Sequence, residues 1–358
     1  MLRFHSLRVA QVQTQAEDAI SVALEVPADL SAEYRGAPGQ HIVLRTALES
    51  EEVRRTYSLV SAPGEPLLRI VARVHSEGRL SQHLTRLRPG DRLDVLPPNG
   101  SFTPHSAAAG QGTCLGFAAG CGITPIIAIV RSWLEAGPTG RAILFYGNRS
   151  MGRAMCLDEL LALKDRYLDR LALHFIMSRE PQDVEIYNGR LDGERVRQLA
   201  QSFFAPREVA ECFVCGPGDM IDSASHALRE LGVSPDRIRA EHFTVATAAP
   251  QPAAAPRTMA GVESDMAEVT VLMDGRRRSF TMRMNGESVL DGAARAGLDL
   301  PFSCRAGVCS TCRTKVVRGE VAMDQNYALE DWELEQGYVL ACQSKVKTPV
   351  LELDYDER

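Results

Sequence analysis

What this sequence lacks excludes several classes of protein before any motif is read. It has no long apolar run. The most apolar stretch, Cys114 to Val130 (CLGFAAGCGITPIIAIV), is uncharged, but it is short for a membrane span and is interrupted by Gly120, Gly122 and Pro125. A buried strand, turn and helix is the expected form. It has no surplus of positive charge. Forty Lys and Arg stand against 46 Asp and Glu, for a net charge of −6, which is not the balance of a nucleic-acid binder. That balance gives no electrostatic reason to approach an anionic membrane either. The first residues, MLRFHSLRVAQVQTQ, show no apolar core of a leader and no small-residue cleavage site, so an untargeted, cytoplasmic chain is expected. Cysteine is sparse and odd in number, nine in 358 residues. A secreted disulfide scaffold is shorter and denser in cysteine, so free thiols in a reducing compartment are expected.

What is present is ordinary for a globular protein: 45% hydrophobic and 24% charged residues, in a chain long enough for two or three domains. One composition shift divides it. Residues 244–264 (TVATAAPQPAAAPRTMAGVES) are rich in Ala, Pro, Thr and Ser, with little charge and no amphipathic period. Such a stretch buries too little surface to fold and is read as a semi-flexible linker. Before it, residues 1–105 read as short strands (RFHSLRVAQVQ, AISVALEV, HIVLRTAL, RRTYSLV, LLRIVARV, RLDVLPP) separated by GAPGQ, APGEP and RPGD turns. That pattern predicts an antiparallel barrel or sandwich. Residues 106–243 alternate apolar runs (TCLGFAAG, RAILFYGN, LALHFIMSRE, ECFVCGPG) with helix-like stretches at Pro125–Ala136, Leu157–Lys164, Gly193–Ala200 and Met220–Leu231. Alternation of this kind predicts a parallel α/β sheet. Residues 265–358 form a third part.

Two glycine turns follow apolar strands. In GFAAGCGITP (residues 116–125) a strand runs into glycines, with Thr124 expected as the cap and Pro125 as the first residue of a helix. Glycines admit a pyrophosphate close to the backbone, and a helix start offers free N–H groups. A tight strand–helix turn without ligand has the same sequence. In CFVCGPGDM (residues 212–220) the scheme repeats, placing Cys215 at the carboxyl edge of the sheet; buried, inert cysteine is the competing reading. Near the chain end, Cys304-x4-Cys309-x2-Cys312 is followed after 29 residues by Cys342. This is the spacing of a plant-type [2Fe–2S] centre, in which two irons take four thiolates. A structural zinc site is the rival, although zinc sites usually show two short Cys/His pairs. Cys114, Cys121, Cys156 and Cys212 have no such spacing and are expected in the core. The acidic run MDQNYALEDWELEQ (residues 323–336) is either a solvated helix face or a docking surface for a more basic partner.

RTYS (Arg55–Ser58), GRLS (Gly78–Ser81), GCGITP (Gly120–Pro125), YGNR (Tyr146–Arg149) and CGPGDM (Cys215–Met220) occur in the order seen in the ferredoxin–NADP reductase family. The tail resembles a plant-type ferredoxin, and the domain order resembles single-chain reductases of bacterial oxygenases. The resemblance implies an FAD-binding antiparallel β-barrel (1–105), an NAD(P)-binding α/β domain (106–243), the linker (244–264) and an α+β, β-grasp ferredoxin domain (265–358). It implies that Arg55 binds the flavin pyrophosphate, Tyr57 stacks on the isoalloxazine and Ser58 bonds near its N5. Strand alternation independently puts Arg55 and Tyr57 on one face. Gly78, Leu80 and Ser81 would line the flavin pyrophosphate. Gly120, Gly122, Thr124 and Pro125 would cradle that of NAD(P)H. Cys215 and Gly216 would lie beside the nicotinamide, making Ser58 and Cys215 the residues nearest the chemistry. Glu241 and Phe243 would close the nucleotide domain near the flavin. Arg149, Ser178 and Arg179 are candidates for a 2′-phosphate, which favours NADPH over NADH, since arginine forks suit phosphate. Cys304, Cys309, Cys312 and Cys342 would hold the cluster.

The implied activity is electron transfer from NAD(P)H through FAD and the cluster to a multicomponent di-iron oxygenase or another ring-hydroxylating enzyme. The cofactors would carry the chemistry, with no side chain acting as general acid or base. No Glu-x-x-His di-iron motif is visible, so the chain alone is expected to oxygenate nothing. A flavin-dependent diaphorase without a dedicated partner and a non-enzymatic zinc-bearing binding module are the rival readings.

Overall fold

The computed structural model describes residues 3–49, 51–105, 108–243 and 265–357. These fall into two compact units, one up to Phe243 and one in the C-terminal part. The stretch 244–264, expected as a linker, lies outside the described residues. No helix among the described residues is long and apolar enough to cross a membrane.

The first unit begins with strands β1 (His5–Ala16), β2 (Ala19–Glu25), β3 (His41–Leu48), β4 (Glu51–Ser58) and β5 (Leu67–Arg73), helix α1 (Arg79–Leu84) and strand β6 (Arg92–Val95). The strands pair antiparallel in the order β4-β3-β6-β1-β2-β5. Just past β4 the chain bridges back to β5 at Leu59 and Ile70, and Val60 N–H donates to Arg69 O at 3.0 Å. The sheet therefore closes on itself, and of the two forms expected the barrel is the one adopted. Its interior follows the period of two that a strand imposes. Leu7 and Val9, Ile20, Val22 and Leu24, Ile42 and Leu44, and Leu93 and Val95 all point inward. Leu80 and Leu84 of α1 are buried in the same core.

The unit continues with β7 (Thr113–Ala119), α2 (Ile123–Glu135), β8 (Arg141–Asn148), α3 (Leu157–Arg166), β9 (Leu171–Met177), α4 (Gly193–Phe203), β10 (Val209–Gly216), α5 (Gly218–Glu230) and β11 (Ile238–His242). The five strands are parallel in the order β11-β10-β7-β8-β9. Side chains of α2 and α3 pack in a core on one side of the sheet, those of α4 and α5 in a core on the other. Two details differ from the sequence reading. The edge strand β11 is too short and too polar to stand out by its pattern. Helix α2 starts at Ile123, not at Pro125, so Thr124 is not its cap. Its hydroxyl instead donates back to Cys121 O at 3.0 Å. Pro125 is tolerated because it lies in the first turn, where a missing N–H costs no helical bond.

Barrel and parallel sheet share apolar packing. Ala19, Val60, Val71 and Phe102 lie in the same buried cluster as α2 and α3, and Phe102 meets Phe213 edge-on at 5.4 Å. A charged clamp reinforces the join. Arg69 grips both oxygens of Glu159 at 2.5 and 2.7 Å, and Arg131 joins Glu159 at 3.1 Å and Glu65 at 2.7 Å. Asp18 in the β1–β2 turn pairs with Arg73 and Arg153.

The second unit holds β12 (Met266–Met273), β13 (Arg276–Arg283), α6 (Val289–Arg295), β14 (Arg313–Arg318), β15 (Val321–Met323), α7 (Asp331–Glu335), β16 (Tyr338–Leu340), β17 (Ser344–Val346) and β18 (Val350–Asp354). Its main sheet runs β13-β12-β18-β14-β16, with β12 and β18 parallel and the other pairs antiparallel. β15 pairs with β17. The β12–β13 hairpin turns on Asp274-Gly275, both at positive φ (59° and 67°), the backbone that an Asp-Gly turn favours. Ser288 caps α6 by accepting from Asp291 N–H at 3.2 Å. Helix α6 contributes Val289, Leu290 and Ala293 to a core with Val269, Val271, Leu351 and Leu353. This is the mixed, β-grasp architecture expected of the tail.

Phe102→Ala is expected to cost about 3–5 kcal/mol by leaving a cavity where barrel and sheet meet. Hydrogen exchange of the full-length protein should show lost protection in both β5 and α2. Loss confined to either element would contradict a shared core.

Candidate functional site

The parallel sheet runs outward from β7 through β8 to β9 and then returns to place β10 on the other side of β7. Strand order therefore reverses between β7 and β10. Such a reversal opens a crevice at the carboxyl ends of the strands, because the two following loops depart in opposite directions. Both glycine turns lie there. Residues Gly120–Gly122 form one tight helical turn between β7 and α2. A Cβ on Gly122 would stand 2.0 Å from the carbonyl oxygen of Cys215, so only glycine lets the two loops touch. Gly120 has φ +54° and open space where a Cβ would point. No side chain caps α2 at Gly122; Ile123 N–H donates to Cys121 O, and the first turn of this 13-residue helix lies at the crevice. Cys215 and Gly216 end β10 beside them.

A buried polar seam adjoins this crevice where the barrel meets the sheet. Ser58, at the end of β4, is buried and paired in register with His41 at the start of β3. His41 Nδ1 lies 3.8 Å from Glu241 Oε1. Glu241 is in turn the register partner of Cys215. The His41 ring is held by its backbone, which exchanges two 2.9 Å hydrogen bonds with Asn99, and by Gly100, where a Cβ would approach Nδ1 to 2.9 Å. His41 Nε2 and Glu241 Oε2 are buried with no hydrogen-bond partner among the described residues. Buried polar atoms are costly unless bonded, so these two fit a bound polar group. Tyr57 is half-buried, and burial pushes its phenol up to about 12; the nearby Arg55 charge opposes that shift and the Cys121 thiol adds to it. Burial, then Glu241, then Cys121 push the Cys215 thiol well up, so it stays protonated and is not a nucleophile.

The remaining nucleotide-site candidates fall into two groups. Arg149, Ser178 and Arg179 come together just beyond β8 and β9. Ser178 N–H donates to Asn148 O and Arg179 N–H to Arg149 O, each at 2.9 Å, and all three are exposed. The other group surrounds α1. Gly78 precedes the helix, and Ser81 Oγ donates to Gly78 O at 2.9 Å while accepting from His75 N–H at 3.3 Å. Leu80 points into the barrel core, so it can offer a ligand only its backbone. Arg55 is exposed on β4, its guanidinium donating to Arg54 O at 2.8 Å.

In the second unit the loop 304–312 and the turn after β16 bring four thiols together. Cys304 has Cys309 and Cys342 as electrostatic neighbours, and Cys342 has Cys312. The Cys304 thiol is held far below its usual range by Cys309, by Cys342 and by the Ala306 and Val308 N–H groups. Ala306 N–H points at Cys304 Sγ (3.3 Å) and Cys304 N–H at Cys309 Sγ (3.5 Å). The loop achieves this with three left-handed residues, Arg305, Gly307 and Ser310. No group of three or more His, Cys, Asp or Glu among the described residues is arranged to hold a single metal ion. Four sulfurs with N–H groups turned toward them fit the terminal ligand set of a two-iron cluster, which needs thiolates and benefits from donors to sulfur.

Of the four cysteines expected in the core, Cys114, Cys156 and Cys212 are buried. Cys121 is not: it is half-exposed in the turn beside Tyr57 and Cys215. The acidic run 323–336 is partly consumed within its own unit. Glu333 is buried against Arg313 at 2.8 Å, and Asp324 pairs with Lys345 at 2.9 Å. His41 had no individual signal in the sequence; only its burial against Glu241, 200 residues away, marks it.

Three family models match this chain: an oxidoreductase FAD-binding domain over residues 6–103, an oxidoreductase NAD-binding domain over 117–226 and a 2Fe-2S iron-sulfur cluster binding domain over 271–347. The chain is 40% identical to a subunit of the 1,2-phenylacetyl-CoA epoxidase of Escherichia coli, covering 100% of this chain and 99% of that one. It is 32% identical to the ferredoxin reductase component of 3-ketosteroid-9-alpha-monooxygenase from Rhodococcus rhodochrous, over 98% and 96% of the two chains. Among solved structures it is similar in fold to phthalate dioxygenase reductase, with TM-score 0.58, 22% identity and 98% of each chain covered.

Cys304→Ser is expected to abolish the broad visible absorption and the iron content of the purified protein, and Cys212→Ala to leave both intact. Gly122→Ala should weaken dinucleotide binding at least about tenfold with little change in flavin content, measured by calorimetric titration with NADP⁺.

Proposed function

The chain belongs to the family of flavin- and [2Fe–2S]-carrying reductases that includes this 1,2-phenylacetyl-CoA epoxidase component, and on that premise we propose that it delivers electrons from NADPH to a di-iron oxygenase that epoxidises phenylacetyl-CoA. It is an NAD(P)H-dependent oxidoreductase with FAD and a [2Fe–2S] cluster, a reductase component of a multicomponent oxygenase. The main support for the epoxidase as partner is the 40% identity over the full chain to the Escherichia coli subunit; what supports the electron path is the meeting, in one compact unit, of the strand-reversal crevice with the buried Ser58–His41–Glu241–Cys215 seam.

When bound, the nicotinamide supplies a hydride, the flavin accepts two electrons and releases them singly, and the cluster carries one at a time. The protein's part is binding and orientation. Gly120, Gly122, Thr124 and Pro125 offer backbone and helix-start N–H groups to the dinucleotide pyrophosphate. Arg55, Gly78, Ser81 and the backbone of Leu80 hold the flavin pyrophosphate. Tyr57 would pack against the flavin ring and Ser58 would offer it a hydrogen bond. Cys215 and Gly216 shape the nicotinamide pocket. Held protonated by burial, Cys215 would present a neutral thiol to the nicotinamide. The shared core and the Arg69–Glu159 clamp keep the two binding surfaces in fixed register, which is what transfer between two rings at contact distance requires. Cys304, Cys309, Cys312 and Cys342 are the cluster ligands.

Arg149, Ser178 and Arg179 hold the 2′-phosphate of NADPH in this reading. Arg149→Ala combined with Arg179→Ala should lower kcat/KM for NADPH by about tenfold or more and leave that for NADH within about twofold; equal losses would remove the preference. NADPH added anaerobically to the purified protein should bleach both flavin and iron–sulfur absorption. Reconstitution decides the partner. With the oxygenase components of phenylacetyl-CoA epoxidase, NADPH consumption should match epoxide formed. Coupling only to another ring-hydroxylating or di-iron monooxygenase would reassign it. The cytoplasm is the proposed location.

A further inference from the structure

Gln343 follows Cys342 directly, and its backbone is pinned on both sides. Its N–H donates to Leu340 O and its carbonyl accepts from Asp324 N–H, each at 2.9 Å. The side chain lies back across the loop 304–312. A Cβ on Gly307 would approach Gln343 Cγ to 3.2 Å, so the glycine that lets the loop turn also leaves room for this side chain. At its end, Nε2 donates to Arg305 O at 2.9 Å and to Cys342 Sγ at 3.5 Å. Both neighbours are acceptors: a carbonyl oxygen has only lone pairs, and a metal-bound thiolate has no proton. The amide must therefore present its NH₂ group to both, with one hydrogen for each.

We propose that Gln343 tunes the iron–sulfur centre through Cys342. Its amide donates to the Cys342 thiolate and favours the reduced cluster, while its second hydrogen ties the ligand-bearing loop to the turn that brings the fourth ligand. The inference rests on reading the four thiols as cluster ligands. The physical reason is electrostatic. Reduction adds a negative charge that spreads onto the sulfurs, and a donor aimed at one of them stabilises that state more than the oxidised one. Backbone donors such as Ala306 N–H come with the loop conformation. Gln343 is a side chain, so this contribution can be changed by substitution without rebuilding the loop. A higher cluster potential makes transfer from the flavin more favourable and leaves less driving force for the partner, so this position sets how the total is divided. Gln343 is a positioning residue, because it acts through the ligand it touches.

The test is a redox titration of the full-length holoprotein, following the cluster by electron paramagnetic resonance and the flavin by absorption. Gln343→Ala should lower the ratio of reduced to oxidised cluster at a fixed potential about tenfold, which for one electron is about 59 mV. Gln343→Glu has the same shape, cannot donate when ionised and adds a negative charge; it should lower the ratio at least as far. Gln343→Lys keeps a donor and should return the ratio to the wild-type value or above. The flavin potential should be unchanged in all three. Alanine and glutamate variants within about twofold of wild type at full iron content would overturn the proposal, as would a lysine variant that behaves like the glutamate one. If neither the alanine nor the glutamate variant loads iron, the tie to Arg305 is the whole role and the tuning proposal falls. A wild-type protein without iron and sulfide would remove the cluster reading itself, an outcome distinct from all of these.

Discussion

The contact on which the nucleotide half depends is between two backbones. The turn after β7 rests against the carbonyl of Cys215 at the end of β10, at a separation that a single Cβ on Gly122 would abolish. This is the point where strand order reverses, so the contact forms the floor of the crevice. From it follow the direction of the α2 N–H groups, the placing of Cys215 and Gly216, and the approach of Cys121 to Tyr57 on the barrel. The remainder of the first unit keeps this floor at a fixed height beneath the barrel.

That fixing is done twice, by different physics. Ala19, Val60, Val71 and Phe102 of the barrel are buried with the helices of the sheet; apolar burial is strong but non-directional. The Arg69–Glu159–Arg131–Glu65 network supplies direction, because a guanidinium fork matches a carboxylate in one orientation. Between the two runs the seam of Ser58, His41, Glu241 and Cys215, a line of polar side chains where an apolar join would have been simpler. Two of its atoms, His41 Nε2 and Glu241 Oε2, have no hydrogen-bond partner among the described residues. Conflict of this kind with ordinary packing is expected where function overrides stability.

The second unit solves a different problem. Four sulfurs gathered as thiolates would repel one another, and a fold that gathers them must offset that repulsion. Here the loop turns backbone N–H groups toward sulfur through three left-handed residues, and Gln343 adds a side-chain donor from the turn after β16. A ferredoxin-like sheet with α6 across it gives the loop a rigid base.

What was legible in the sequence was local. Alternation of apolar residues at period two identified the barrel strands, and strand–helix alternation identified the parallel sheet, because each pattern is set by the geometry of a single element. The cysteine spacing marked the loop 304–312 for the same reason, since three of the four cysteines lie within nine consecutive residues. Tertiary structure decided whatever depends on distant partners. Helix α2 begins at Ile123 because the preceding turn is held against β10, which no capping preference at Thr124 can report. Cys121 is half-exposed while Cys114, Cys156 and Cys212 are buried, because the crevice opens beside it. His41 becomes a site residue only when β11 brings Glu241 to it across 200 positions, and Gln343 only when the loop folds under its side chain. Period and spacing record what one element does; which polar atoms meet is settled by the packing of elements far apart in the chain.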